Sequence, residues 1–308
     1  MLKGKKLVKG SKIGVVAPAN FIEKDELSAT VKKLEELGFH VVPGRSCTSR
    51  WHSFAGTDEV RASDINAMFA DDEIDGIIAM RGGYGSIRLL DKLDYDMIAK
   101  NPKVFMGYSD LTSLHSVLNS RCELITFHGP MAVSNILKSF DEVTAGSFYA
   151  AVGGGHKGYS VENPAGEELG VLNPGTAKGR ITGGNLAVMV STLGTEYEID
   201  TKDKILFIED IGEATYRVDR MLIQLMQAGK LQDAAGILIG DFTDCNKESE
   251  YDLSIDEVFE GIFSKVDIPV MFNLRSGHCK PMVTLPFGAK ALMDTKKKMI
   301  EIKEGTVE

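Results

Sequence analysis

The sequence predicts an α/β protein: a mainly parallel sheet covered by helices in the first half, then a smaller, mixed α/β region richer in β-structure toward the end. Three observations predict it. Short runs rich in Val and Ile alternate with segments whose apolar residues recur at helical spacing. Those runs close in polar or glycine-rich turns, as βαβ units do. At 308 residues the chain also exceeds what one hydrophobic core usually serves, so two domains are expected.

In order, residues 12–18 (KIGVVAP) read as a first buried strand. Leu27, Val31, Leu34 and Leu37 follow at helical spacing, and Gly38 ends that helix. Residues 39–42 are a second strand. Ile65, Met68 and Phe69 mark a second helix with Thr57 as its candidate N-cap. Residues 75–80 (DGIIAM) form a third strand, followed by Arg81-Gly82-Gly83-Tyr84-Gly85. Residues 103–106 form a fourth, followed by Gly107-Tyr108-Ser109-Asp110, and residues 124–127 a fifth, followed by His128-Gly129-Pro130. Between 153 and 175 helical periodicity vanishes and glycines and Asn-Pro pairs accumulate. The expected division is therefore a domain over 1–155, a link over 156–175 with some extended structure, and a second domain over 176–308. The second half reads as a helix over 186–193, a strand over 205–208, a helix over 218–228 and a strand over 236–239. Short strands are expected at 269–272 and from 283 onward, and a solvated acidic loop running into a helix at 244–256.

Composition narrows the function. Net charge is −9, with no stripe of clustered Lys and Arg, so no nucleic-acid partner is expected. No apolar run approaches the roughly 20 residues that span a bilayer, and no membrane association is expected. The basic start runs into a strand-like segment without a signal-peptide core, which makes a cytoplasmic location the default. Cys47, Cys122, Cys245 and Cys279 form no CxxC pair, so neither a zinc site nor a disulfide framework is expected. Gly82-Gly83 lacks the spacing of nucleotide-binding loops. No metal and no cofactor are expected.

In an open parallel sheet, sites form beyond the carboxyl ends of the strands. That rule selects the Pro18-Ala19-Asn20 turn, the Arg81 turn, the Ser109 turn and His128. Ser109 stands between a strand and a helix, where an exposed hydroxyl meets amides that favour negative charge. A capping role for Ser109 and Asp110 is the alternative. Gly83 and Asp110 can supply backbone N–H groups to an oxyanion, and Gly82-Gly83 can equally be a simple tight turn. Gly183-Gly184-Asn185 ahead of a helix has the same ambiguity, with packing favoured. Glu209 and Asp210 end an apolar strand, which demands partners; Glu213, Arg217, Asp219 and Arg220 follow closely, so structural ion pairs in this charged stretch compete with a site role. His278 sits in the tight loop Ser276-Gly277-His278-Cys279-Lys280-Pro281, with His128 its competitor as a base and His115 read as structural. Cys279 reads as a reduced, partly buried thiol.

Taken together, the blocks KIGVVAPAN, RGGYGSIRLL, FMGYSDLTSLH, TFHGPM, GRITGGNLAV, ILFIEDIGEATYRVDRML, GILIGDF and GHCKPMVTLPFG resemble the LD-carboxypeptidase family of serine peptidases, which includes microcin C immunity peptidases. The resemblance covers nearly the whole chain. It implies Ser109 as nucleophile, Glu209 and His278 as the remaining triad members, and amides of Asp110 and Gly83 as the oxyanion hole. Arg81 and Asn185 are candidates for substrate binding. It further implies a first domain resembling class I amidotransferases, a smaller β-rich second domain, a site between them, and a homodimer. The implied substrate is a small peptide such as murein tetrapeptide, cleaved before its terminal D-alanine in cell-wall recycling. The alternatives are an immunity-type peptidase cleaving an aminoacyl-nucleotide amide, and a non-catalytic two-lobed ligand-binding protein. Met282 departs from the family, many of whose members carry Asn there.

Overall fold

The structure is a computed structural model that describes residues 1–154 and 158–308. Gly155 and the expected boundary at 155 and 156 lie outside the described residues. The first half lays down β1 (Lys12–Val16), β2 (His40–Pro43), β3 (Gly76–Ala79), β4 (Val104–Gly107) and β5 (Thr126–His128). They run parallel in the order β2-β1-β3-β4-β5. Every residue of β3 and β4 is buried, which is why these strands read as continuous apolar runs rather than alternating ones. Helices α1 (Lys24–Glu36), α2 (Asp58–Ala70), α3 (Tyr95–Lys100), α4 (Thr112–Arg121) and α5 (Glu142–Val152) belong to the same half. Their starts are written in the sequence. Glu23 and Glu26 make a capping box for α1, Thr57 Oγ1 accepts from Val60 N at α2, and Asp141 caps α5.

The second half builds an eight-stranded sheet around the parallel strands β8 (Thr176–Asn185), β9 (Ile205–Ile211), β10 (Gly236–Thr243) and β11 (Val270–Phe272). The segment expected as a link supplies the two outer strands of this sheet, β6 (Tyr159–Val161) and β7 (Gly170–Asn173). Short strands flanked by glycine and Asn-Pro suit sheet edges, which tolerate interrupted pairing. The chain then crosses back. β12 (Leu285–Phe287) pairs antiparallel with β5 and closes the first sheet, whereas β13 (Lys290–Asp294) and β14 (Met299–Ile302) join the second. Helices α6 (Leu186–Ser191), α7 (Thr215–Gln227) and α8 (Ile255–Phe263) complete this half.

Two strands run further than the sequence suggested. β9 continues to Ile211, so Glu209 and Asp210 lie inside it, and β10 continues to Thr243 past a register shift after Ile239. Charged side chains can occupy those strand positions because each is hydrogen-bonded, as described below. One core runs through both sheets: Val15 and Phe127 of the first, Phe207 and Leu238 of the second, and Phe287 of the crossing strand are all buried in the same cluster. No helix among the described residues is long and apolar enough to cross a membrane.

Candidate active site

β4 ends at Gly107, where a side chain would collide with Leu111 and Ala79. Two residues on, Ser109 adopts a left-handed φ of 66°. For a residue with a Cβ that conformation costs on the order of 1 kcal/mol, and strain of this kind concentrates at functional turns. A single 3-10 turn over Ser109–Leu111 leads into α4, and no side chain caps either helical start. The capping alternative for Ser109 and Asp110 is therefore set aside. The Asp110 carboxylate faces the other way: it accepts from the amides of Ser86 at 2.8 Å and Gly85 at 3.3 Å, fixing the neighbouring glycine turn. Burial raises its pKa against those hydrogen bonds.

That turn lies against the serine. A Cβ on Gly82 would come within 3.1 Å of Ser109 Cβ and 3.3 Å of its Oγ, so a larger residue there would crowd the hydroxyl. Gly83 backs onto Asn20, whose Oδ1 accepts from Tyr84 N at 3.2 Å.

His278 Nε2 lies 3.0 Å from Ser109 Oγ, and His278 Nδ1 lies 2.7 Å from Glu209 Oε2. With the proton on Nδ1, the ring donates to the carboxylate and Nε2 accepts from the hydroxyl. Glu209 is fully buried in β9. The histidine loop reaches it because Gly277, at φ 115°, has no Cβ; one there would sit 2.7 Å from Glu209 Oε2. The loop is braced from several sides. Thr243 Oγ1 donates to His278 O at 3.1 Å, Ser276 Oγ to Val283 O at 2.8 Å, and Arg275 to Asp241 at 2.5 Å. Asn163, from the segment before β7, accepts from Arg275 N at 2.8 Å. Tyr108 stands edge-on to the imidazole, 4.9 Å between centroids. Burial pushes the His278 pKa down, but the hydrogen bond and charge of Glu209, helped by Asp210 and Asp241, outweigh it and raise the value above 6.5.

The remaining candidates separate clearly. His128 is fully buried among Tyr108, Phe207 and Phe287, and neither ring nitrogen has a hydrogen-bond partner among the described residues. Burial drives its pKa well down, so it stays neutral and apart from Ser109. His115 is buried in α4 and bonds Gly107 O at 2.8 Å. Cys279 is buried, which pushes its thiol up to about 12. Ion pairing does not account for Glu209: Arg217 pairs with Glu213 instead, at 3.7 Å. Asp210 accepts from Asn185 Nδ2 at 2.8 Å and from the amides of Ile211 and Ala187 at 2.8 and 3.0 Å; burial, with the Glu209 charge, moves its pKa to about 6. Asn185 is buried. Its Oδ1 caps α6 and its backbone amide donates to Thr112 Oγ1 at 2.9 Å, so its side chain is engaged within the protein. Gly184 has a packing role, since a Cβ there would strike Thr112. Arg81 is half-buried beside Gly82. The Glu26 carboxyl is lowered although burial opposes it, through the Glu23 backbone, Lys138 and the Arg81 charge. No cluster of His, Cys, Asp and Glu among the described residues could hold a metal ion. The strand-end turn carrying Asn20 was among those the sequence selected, whereas Tyr108, Thr243 and Asn163 were given no site role; Tyr108 lies beside the serine in the chain, and the other two carry no local signal.

A hydroxyl, an imidazole and a buried carboxylate in hydrogen-bonded series, at the strand ends of a two-domain α/β fold, define the class as a hydrolase. Residues 13–129 match the LD-carboxypeptidase N-terminal domain and residues 178–293 the LD-carboxypeptidase C-terminal domain. The chain belongs to the LD-carboxypeptidase family. It is 41% identical over 311 residues to a probable murein peptide carboxypeptidase of Bacillus subtilis, covering 99% of this chain and 96% of that one. Among solved structures it is similar to the muramoyltetrapeptide carboxypeptidase of Oxalobacter formigenes, with a TM-score of 0.84, 29% identity and coverage of 96% and 99%. It is also similar to MccF in complex with glutamyl sulfamoyl guanosine, with a TM-score of 0.92, 26% identity and full coverage of both chains.

Proposed function

We propose that this chain is a serine carboxypeptidase that hydrolyses the amide between an L-centre and a C-terminal D-amino acid, as in release of D-alanine from murein tetrapeptide. The observation that carries the reading is the hydrogen-bonded series from Ser109 through His278 to Glu209, at 3.0 and 2.7 Å. His278 takes the hydroxyl proton as Ser109 Oγ attacks the carbonyl carbon, and the acyl–serine ester forms as the amide C–N bond breaks. The proton passes from His278 to the departing amine. Glu209 holds the ring in its acceptor tautomer and stabilises the imidazolium. Backbone N–H groups of Asp110 and Gly83 receive the oxyanion, an interaction typically worth roughly 10²–10³ in rate per donor. Water, activated by the same histidine, then releases the acyl group. Arg81, a cation beside the glycine turn, is our candidate for the terminal carboxylate of the substrate.

Purified protein incubated with murein tetrapeptide should release D-alanine, and Ser109→Ala should abolish that release; full turnover by the variant would remove Ser109 from the role. The likeness to MccF favours one other reading, cleavage of an aminoacyl-nucleotide amide. Turnover of an aminoacyl sulfamoyl nucleoside and of murein tetrapeptide by one sample separates the two. The proposal includes division into domains over 1–155 and 176–308, a homodimer and a cytoplasmic location. Four free, buried cysteines agree with a reducing compartment. Light scattering on the purified protein tests the dimer.

A further inference from the structure

Arg61, one turn into α2, is wholly buried. A buried guanidinium is costly unless it is paired and hydrogen-bonded, so its partners explain its place. Nη2 pairs with Asp58, which Arg88 also holds at 2.9 Å. Nη1 donates to Pro18 O at 2.5 Å and to Gly85 O at 3.0 Å. Pro18 follows β1 and Gly85 follows β3, so one planar group ties two strand-end turns together. Glycine permits the approach: a Cβ on Gly85 would come within 3.0 Å of Arg61 Nη1 and 2.5 Å of the Phe54 ring. The third turn, after β4, joins from the opposite side. Asp110, buried next to Ser109, takes the amides of Gly85 and Ser86 on its carboxylate, and its backbone carbonyl accepts from Ser86 Oγ. Asn20 closes the lattice, since it accepts from Tyr84 N and fills the space that a side chain on Gly83 would need.

We propose that Arg61 and the Asp110 carboxylate are positioning residues for the oxyanion hole: together they lock the turn carrying Gly83 against the turn carrying Ser109, so that the N–H groups of Gly83 and Asp110 converge before substrate arrives. This rests on the serine-hydrolase reading of the site. Asp110 then serves twice, with its N–H as one donor and its carboxylate as the strut to the turn that holds the other. Two donors serve one oxygen only when both are aligned, because a hydrogen bond weakens steeply as its angle closes. Glycines have no side chains with which to brace their own turn, so the bracing comes from neighbours. Both side chains act away from the reacting hydroxyl, whose own hydrogen bond goes to His278.

Two readouts on the full chain separate positioning from mere stability. One is kcat and KM for release of D-alanine from murein tetrapeptide. The other is the rate at which a small alkyl fluorophosphonate labels Ser109, followed by mass spectrometry. In that reaction the Oγ–P bond forms, fluoride leaves and His278 takes the hydroxyl proton; the phosphoryl oxygen needs the same hole, and no peptide is recognised. Asp110→Asn keeps the size but turns a donor toward an N–H. It should lower both kcat and the labelling rate by about 10- to 100-fold, with KM within about twofold of wild type. Arg61→Lys keeps the charge without the planar fork and should lower both by about tenfold. Asn20→Ala alters the same turn at a half-buried residue and should lower both by about threefold. If Asp110→Asn fails to fold, the Asn20→Ala rates decide. Unchanged kcat and labelling in the folded variants overturn the proposal whatever their urea midpoints, and so does a rise in KM alone. Labelling that falls in the variants, from a wild type that labels readily yet releases no D-alanine, upholds the positioning and removes the murein reading. A wild-type Ser109 that resists the reagent overturns the serine reading and the proposal with it.

Discussion

At the scale of single residues, Ser109 holds two properties in one position, its strained φ and its hydroxyl. Ser109→Gly should therefore raise stability by about 1 kcal/mol relative to Ser109→Ala, measured by urea denaturation, while neither variant turns over substrate. His278 gives a pH signature. Its raised pKa means the neutral, proton-accepting form is reached only above 6.5, so the acid limb of kcat/KM against pH should lie above that value. Glu209→Gln should move the limb down and reduce kcat by on the order of 10²–10⁴, because the ring loses both its charge partner and its preferred tautomer. The sign for stability runs the other way. A group whose pKa is raised on folding stabilises the protein fully below its unfolded value, and that contribution is lost as pH rises through the folded value. Chemical denaturation of wild type and Glu209→Gln across pH 5 to 9 reads it: the gap between them should be largest at the acid end.

At the scale of elements, glycines decide where chain segments can meet. Gly277 lets the histidine loop touch β9, and Gly277→Ala combines an unfavourable φ with a contact against Glu209 Oε2. It should lower kcat at least tenfold and cost about 1–2 kcal/mol, with both read on the same preparation. Asn185 shows the complementary case, a side chain that ties elements together. Asn185→Ala removes the α6 cap and one partner of buried Asp210, and should cost about 1–3 kcal/mol in thermal or urea unfolding. Much of this level was legible. The five parallel strands of the first half, helices α1, α2 and α4, the cap at Thr57 and the turns after β3 and β4 follow from apolar spacing and turn residues, whereas α3 and α5 were not foreseen. The outer strands β6 and β7 were not, because edge strands have weak patterns and take their partners, β14 and β11, from more than a hundred or nearly a hundred residues away.

At the scale of the whole molecule, the two sheets share apolar packing. Phe127, Phe207 and Phe287 come from three distant stretches and sit in one buried cluster, and β12 crosses from the second half to finish the first sheet. Ser109 and Glu209 thus stand on elements packed into a common core, which fixes their separation without a hinge. Unfolding should consequently be a single transition, with Trp51 fluorescence from the first half and far-UV circular dichroism from the whole chain superimposing. Phe207→Ala should lower that transition by about 3–5 kcal/mol and shift both signals together.

By itself the sequence determined the α/β class, the alternation of strands and helices in the first half, and the polar turns at strand ends, since these depend on neighbours within a few residues. It also contained the blocks by which the chain resembles its family. It left Ser109 between a cap and a site residue, Glu209 between an ion pair and a site residue, and His278 in competition with His128. Only the tertiary structure decided those contacts. Hydrogen bonds of 2.7 and 3.0 Å join residues 69 and 169 positions apart, and no local pattern encodes a distance set by the packing of two sheets.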